Sequence, residues 1–597
     1  MTYRWLLRTL DDPGVVARLQ PRLNDLPAAL TRALALRNVD SFESARDFFR
    51  ASRSDLHDPL TMADMPRAAE RVADAIEANE TVLVYGDYDV DGTTATTICT
   101  HFLRQQGVEA SFFIPDRYED GYGLCKRGID TAVERGASLI IALDCGITAH
   151  EEAAYAREQD LDLIICDHHT PKETLPDAYA VLDPKRTDCT YPFSELSGAG
   201  VGFKLLQATQ RVRSANEDRV FDYLDLLGIS IASDIVPMYG ENRVLMEEGL
   251  AALRTTERVG LRALADAADL DLTAVKTTGN IVFTIGPRIN AAGRMAHAHK
   301  AVDLLLEENP ATARDQAEEL EQLNKERRDL DERIRKEATR QAERQITART
   351  NTHALVLYDP DWHLGVIGIV ASRIVEQFYK PTIMLTRNGD AVKGSARSIS
   401  GVNIYHALTD CEDVLTQFGG HDYAAGMSLP EENVQALRDR FNAAIAERIT
   451  PELLTPTIKV DAHVDLETIG SADGRFWAVL QQFGPFGPSN PRPVFHIGPC
   501  TVARSPRTVG RDDAHLKFTV TPAASSHPQI DVIGFGHGEK LRLLKESQRS
   551  DTPVELVATV DENTWRGNTS IQLKLRDLRL YDESRTLQAT PAAQQAS

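Results

Sequence analysis

The 597-residue sequence has no apolar run that approaches the ~20 residues of a membrane-crossing helix. Its opening, MTYRWLLRTLDDPG, turns acidic where a secretory leader would have its apolar stretch, so a cytoplasmic protein is expected. Cysteine is scarce. Seven residues, an odd number with no CxxC pair, exclude a disulfide framework and a zinc ribbon. Cys99 and Cys166 lie inside apolar runs and read as small buried thiols. Positive charge is also in deficit: 66 Lys and Arg face 88 Asp and Glu, for a net charge of −22. That balance argues against a general nucleic-acid glue. It leaves room for carboxylates that hold cations, and for a basic groove on an otherwise acidic surface. No internal repeat is present.

The chain is too long for one core and should divide into about three to five domains. Residues 1–62 carry short helical patterns such as LPAALTRALAL. From residue 63 to 305 the pattern becomes strand and helix in alternation. TVLVY, ASFFI, SLIIAL and LDLIIC are short β-branched runs separated by amphipathic stretches, which predicts a parallel, doubly wound sheet. Residues 306–350 have one early proline, no glycine and dense opposite charges, the pattern of one long solvated helix serving as a spacer. A second α/β region covers 351–453, with ALVLYDP, a helix over GVIGIVASRIVEQF, and PTIMLTR. Short strands return over 454–582, predicting a small β-barrel. Residues 583–597 read as a disordered tail.

Chemistry concentrates where the first strands end. VLVYGDYDVDG places Asp87, Asp89 and Asp91 directly after a strand, and their mutual repulsion is costly without a cation. An EF-hand loop would need Glu at its twelfth position; counted from Asp87 that residue is Ile98. SLIIALDCG puts Asp144 at a second strand end, where alone it would read as a helix cap. LDLIICDHH adds Asp167, His168 and His169 at a third. The carboxyl edge of an open α/β sheet is where ligands bind. Asp and His donors without Cys suit two Mn²⁺ or Mg²⁺ ions better than structural zinc, and two such ions can activate a water and stabilise the leaving oxygen of a phosphate ester.

In this order and spacing, GDYDVDG, LDCG and CDHH resemble the first three motifs of the DHH phosphoesterase superfamily. SIASDIVP resembles the fourth, which makes Asp234 a further metal-bridging carboxylate. Other stretches are similar to the RecJ family within it: PDRYEDGYGL, TYPFSELSGAGVGFKL, GPRINAAGRM, WHLGVIGIVASR, GSARS, FGGHDYAAGM and FGPFGPSNPRPVF. PDRYEDGYGL departs from the family pattern in having Asp120 before Gly121, beside Glu119. The resemblance implies an α/β multidomain protein: a parallel-sheet DHH domain, a connecting helix, a DHHA1 α/β domain and a C-terminal OB-fold β-barrel.

It also implies a single-strand DNA exonuclease acting 5′ to 3′, releasing 5′-mononucleotides in repair and recombination. Such an enzyme would be a monomer working beside a helicase and a single-strand-binding protein. The resemblance gives Asp89, Asp91, Asp144, His168, His169 and Asp234 catalytic roles, with Asp87 as an added metal ligand. Ser395 and Arg397 of GSARS form a Gly-rich turn suited to a terminal phosphate, joined in the family by Arg117. Arg288 and Arg294 read either as phosphate contacts or as part of a Gly/Pro-rich packing loop. His421 takes a substrate role by resemblance, and His363 reads equally as structural. Arg504, Arg507, Lys517, Trp565 and Arg566 in the barrel would track the strand. Alternatives are an oligoribonuclease or cyclic-dinucleotide phosphodiesterase of the same superfamily, which would lack the barrel, or a non-catalytic replication scaffold, which would have lost the acidic ligands.

Overall fold

The computed structural model describes residues 3–348, 351–565, 568–585 and 587–590. They divide into two compact units: Ala51–Arg333 with Pro485–Asn490, and Met1–Arg50 with Ile334–Gly484 and Pro491–Ser597.

The first unit is built on a five-stranded parallel sheet. Its strands are β1 (Thr81–Gly86), β2 (Glu109–Phe113), β3 (Leu139–Leu143), β4 (Asp162–Cys166) and β5 (Ala180–Leu182), in the order β2-β1-β3-β4-β5. Alternate residues of a strand face opposite sides, and both sides are covered, so the strands read as unbroken apolar runs. Val82, Val84, Leu139, Ile141 and Ile164 join one core with helices α1 (Met65–Ala78), α2 (Val90–Gln105), α5 (Gly198–Val212) and α6 (Leu224–Ser233). Leu83, Tyr85, Ile140, Ala142 and Ile165 join another with α3 (Lys126–Glu134) and α4 (His150–Glu158).

The second unit holds three sheets. One is mixed, ordered Gln417–Gly420, Ala424–Leu429, Ala391–Arg397, Thr382–Asn388, Leu355–Tyr358. GSARS lies on the third of these strands, so the Gly-rich turn expected there is a strand instead. Its glycine is set by packing: a Cβ on Gly394 would meet Leu385 Cδ2 at 2.4 Å. In the C-terminal sheet, Phe495–Val502 pairs with both Val554–Trp565 and His515–Pro522. Pairings through Asn568–Leu580 and Ile530–Gly534 complete a closed circuit of five strands, which is how a barrel removes its edges.

The third sheet corrects both ends of the sequence reading. The N-terminal segment begins with a strand, Arg4–Leu7, which pairs in parallel with Thr457–Val460 and with Gln588–Ala589. The tail expected from residue 583 therefore starts as ordered structure, while residues 591–597 lie outside the described residues.

The long helix runs Pro310–Ala348 and is more than a solvated spacer. Ala313, Ala317 and Leu320 are buried in the core of the first unit. Within the second unit, Gln341 and Gln345 donate to the carbonyls of Tyr358 and Val356, and the Trp362 indole donates to Glu337 at 2.9 Å. GPRINAAGRM is also helical, over Gly286–Met295, rather than a loop. No helix among the described residues is long and apolar enough to cross a membrane.

Candidate metal centre

β1 ends at Gly86 and the chain turns through Asp87 and Tyr88 into α2. Asp89 caps that helix, its Oδ1 accepting from the Gly92 amide at 3.0 Å. The turn has no space for a side chain at Gly92, where a Cβ would lie 2.4 Å from the Asp87 carbonyl oxygen. Asp91 points from the first turn of α2 to the start of α5. It accepts from the amides of Gly198 at 2.6 Å and Ala199 at 2.9 Å, and from the Ser230 hydroxyl at 2.6 Å. A helix N-terminus suits a carboxylate, and these three bonds hold Asp91 in a fixed direction.

Asp144 follows β3 with φ of 61°, a left-handed conformation that aspartate tolerates better than most residues. Asp167 follows β4 and works as an orienting group. Its Oδ1 accepts from the amides of His168 and His169 and lies 2.7 Å from His169 Nδ1; its Oδ2 accepts from the Ile147 amide at 2.8 Å. Burial opposes its ionisation, yet the His169 bond keeps its carboxyl below the usual range. His168 Nε2 lies 3.2 Å from Asp144 Oδ1 and 3.5 Å from Asp234 Oδ2, at the end of α6. The seven residues expected as ligands therefore converge. Three overlapping trios bring their donor atoms within 4.8 Å: Asp87, Asp89 and Asp144; Asp91, His168 and Asp234; Asp144, His168 and His169.

The electrostatics show what this cluster lacks. Burial, then the neighbouring carboxylates, pushes Asp87, Asp89 and Asp144 above their ordinary range and Asp234 up to about 9. Burial pushes His168 down. Asp87 Oδ1, Asp144 Oδ1, Asp234 Oδ2 and both ring nitrogens of His168 are buried without a hydrogen-bond partner. Such atoms are costly unless something pairs with them. Oxygen and imidazole donors of this kind fit divalent Mn²⁺ or Mg²⁺. Burial pushes the adjacent Cys145 and Cys166 thiols well up.

Two kinds of functional residue escaped the sequence reading. Ser197, Gly198 and Ser230 pin Asp91, with the Ser197 and Ser230 hydroxyls 2.7 Å apart. Tyr122, inside the GYGL stretch, has its hydroxyl 3.1 Å from His169 Nε2. In the same loop, Asp120 accepts from the Asp116 amide at 2.7 Å and pairs with Arg127, so the departure from the family pattern closes the turn on itself.

The expected phosphate contacts are more dispersed. Arg117 stacks on the ring of Tyr88 at 4.1 Å, within the acidic loop after β1. The backbone carbonyl of Arg294 accepts from the Tyr118 hydroxyl at 2.5 Å, joining its helix to the Arg117 loop. Arg288 has intramolecular partners, Glu321 of the long helix at 2.6 Å and the Thr284 carbonyl at 2.6 Å, which favours its packing role.

In the second unit, Arg397 Nη1 donates to Ser395 Oγ at 2.9 Å, and a Cβ on Gly368 would lie 3.0 Å from Ser395 Oγ and 3.2 Å from Arg397 Nη2. His363 caps that glycine's helix, its Nδ1 accepting from the Gly365 amide at 3.2 Å. His421 is exposed on the turn before Ala424–Leu429. In the barrel, Arg507 and Lys517 pair across strands, and Arg504 donates to Gln529 at 3.2 Å. Trp565 ends a strand; its side chain and Arg566 lie outside the described residues.

The sequence matches three family profiles: the DHH family, N-terminal domain, over residues 81–231; the DHHA1 domain over 351–447; and the RecJ OB domain over 460–577. The single-stranded-DNA-specific exonuclease RecJ of Bacillus subtilis (strain 168) is 38% identical over 579 residues, a match covering 96% of this chain and 70% of that protein. RecJ from Thermus thermophilus in complex with Mn²⁺ superposes with a TM-score of 0.80 at 28% identity, over 99% of this chain and 81% of that one. The same enzyme in complex with Mg²⁺ gives 0.76 at 26% identity, over 98% and 79%.

Proposed function

Because this chain belongs to the RecJ family of single-stranded-DNA-specific exonucleases, we propose that it degrades single-stranded DNA from the 5′ end and releases 5′-mononucleotides. The observation that carries this reading is the group of buried, unpartnered carboxylate and imidazole atoms at the carboxyl edge of the parallel sheet. Divalent cations held there would supply Lewis acidity for activating a water and offsetting charge on the leaving oxygen.

The protein's own groups do the positioning. Asp87, Asp89, Asp91, Asp144, Asp234 and His168 would hold the cations, with His169 completing the set. Asp167 fixes the His169 ring through Nδ1, so that Nε2 is the nitrogen directed outward. The α5 N-terminus and Ser230 fix Asp91. The Arg117 guanidinium, stacked over Tyr88, offers charge beside the cluster for a phosphate of the strand. Ser395 and Arg397 hold the 5′-terminal phosphate, with His421 as a further substrate contact, and the barrel's basic residues, Arg504, Arg507 and Lys517, follow the strand.

Such an enzyme serves DNA repair and recombination in the cytoplasm as a monomer. Its partners are a helicase that exposes the strand and a single-strand-binding protein that covers it. Hydrolysis of a 3′-labelled single-stranded oligonucleotide with Mn²⁺ tests the reading. Progressive shortening that leaves the label on ever smaller fragments is expected; early release of labelled mononucleotide would reverse the polarity and overturn it.

A further inference from the structure

Two apolar side chains stand in solvent in the unit that holds the acidic cluster. Ile235 is 67% exposed and Phe283 82% exposed. Ile235 directly follows Asp234 and has φ of 62°. A β-branched residue in that region is rare, because its side chain crowds its own backbone, and such strain gathers at sites of function.

Phe283 lies in a π-helical turn, Ile281–Ile285, whose two end residues are buried. The wider turn rotates the residues between them, and Phe283 is carried outward. That turn packs against α6, the helix that delivers Asp234. A Cβ on Gly286 would lie 3.0 Å from Ser233 Oγ, which places the exit of the π turn against the last residue of α6. A strained aliphatic residue thus directly follows α6 and Asp234, and an outward aromatic sits on the turn packed against that helix. Neither contributes burial to the fold.

We propose that Phe283 and Ile235 form a nucleobase subsite, in which an unstacked base of the bound strand rests on the Phe283 ring and against Ile235. The inference rests on the exonuclease reading above. Every base offers a π face, so the contact is indifferent to sequence. A base offers that face only when it has left its own stack, so the subsite favours single strands over duplex.

Binding without hydrolysis tests it. Fluorescence anisotropy of a labelled oligothymidylate, and of the same strand carrying abasic positions, is measured with the full chain in the absence of divalent metal. Phe283→Ala should weaken binding of the normal strand by about 5- to 150-fold, the range for one base on one aromatic. The abasic strand should bind wild type and variant alike, and Phe283→Trp should restore the difference. Ile235→Gly should raise the melting temperature while weakening binding, because glycine accepts that φ.

Equal loss on both strands, or none on either, would overturn the subsite, and so would preference for a protein or lipid surface over the strand. A wild-type chain that binds the strand but never hydrolyses it with Mn²⁺ would instead overturn the reading beneath it.

Discussion

Asp144 leaves no room for a side chain at Gly198. A Cβ on Gly198 would lie 2.5 Å from its Cβ and 2.7 Å from its Cα, so the first turn of α5 can carry only glycine there. Gly198→Ala should displace Asp144 and lower Mn²⁺ affinity about 10- to 100-fold, as loss of a ligand's support does, with the circular dichroism spectrum retained. Titration calorimetry measures this, and unchanged affinity would contradict it.

The cluster also sets a pH dependence. Asp87, Asp89, Asp144 and Asp234 keep their protons to higher pH when folded than when unfolded, up to about 9 for Asp234. The metal-free folded chain therefore binds more protons than the unfolded one between the ordinary carboxylate range and that value. The contribution of these four groups to stability is fully present below the ordinary carboxylate range and is lost as pH rises through the window. Cations displace those protons. The rise in melting temperature on adding Mn²⁺ should be larger near pH ~8 than near pH ~6; an equal rise would contradict the account.

The acidic and imidazole cluster was legible in the sequence because its members sit at successive strand ends. Gly198 and Ser230 were not, since their partner Asp91 lies 107 and 139 positions away along the chain.

Elements in the first unit are locked by a buried ion pair. Lys204 on α5 donates to Glu241 at 2.6 Å with both side chains fully buried, and Glu241 also accepts from the Tyr191 hydroxyl and the His57 amide. Three segments thus meet on one carboxylate. Lys204→Met should cost about 3–5 kcal/mol by leaving that charge unpaired. Adding Glu241→Gln should recover much of the loss, because the neutral amide can accept from the His57 amide through its oxygen and donate to the Tyr191 hydroxyl through its nitrogen. Thermal unfolding of the two variants decides it, and a double variant less stable than the single would contradict it.

Two of the stretches read wrongly, GSARS and GPRINAAGRM, contain glycine. GPRINAAGRM is a helix because its glycines mark close approach: a Cβ on Gly293 would lie 2.8 Å from the Tyr88 carbonyl oxygen, on the acidic loop after β1. Composition signals a flexible residue, but only tertiary packing distinguishes a turn from a tight contact.

Over the whole molecule, the order of domains was readable from the switch between strand–helix alternation, one long helix and clustered short strands. The path of the termini was not. Arg4–Leu7 pairs with Thr457–Val460, some 450 residues away, and local periodicity holds no trace of so distant a partner. The charge of −22 likewise says little until the acids are placed. Part of it is gathered on one sheet edge, where it is a demand for cations and no obstacle to DNA.

The most direct measurement is the number of Mn²⁺ ions bound per metal-free chain, taken together with hydrolysis of single-stranded DNA. Two bound ions are predicted, with activity abolished by EDTA and restored by Mn²⁺. Asp144→Ala should bind fewer ions and lose about 100-fold or more of the activity. Full hydrolysis in EDTA, or by the Asp144→Ala chain, would contradict the account.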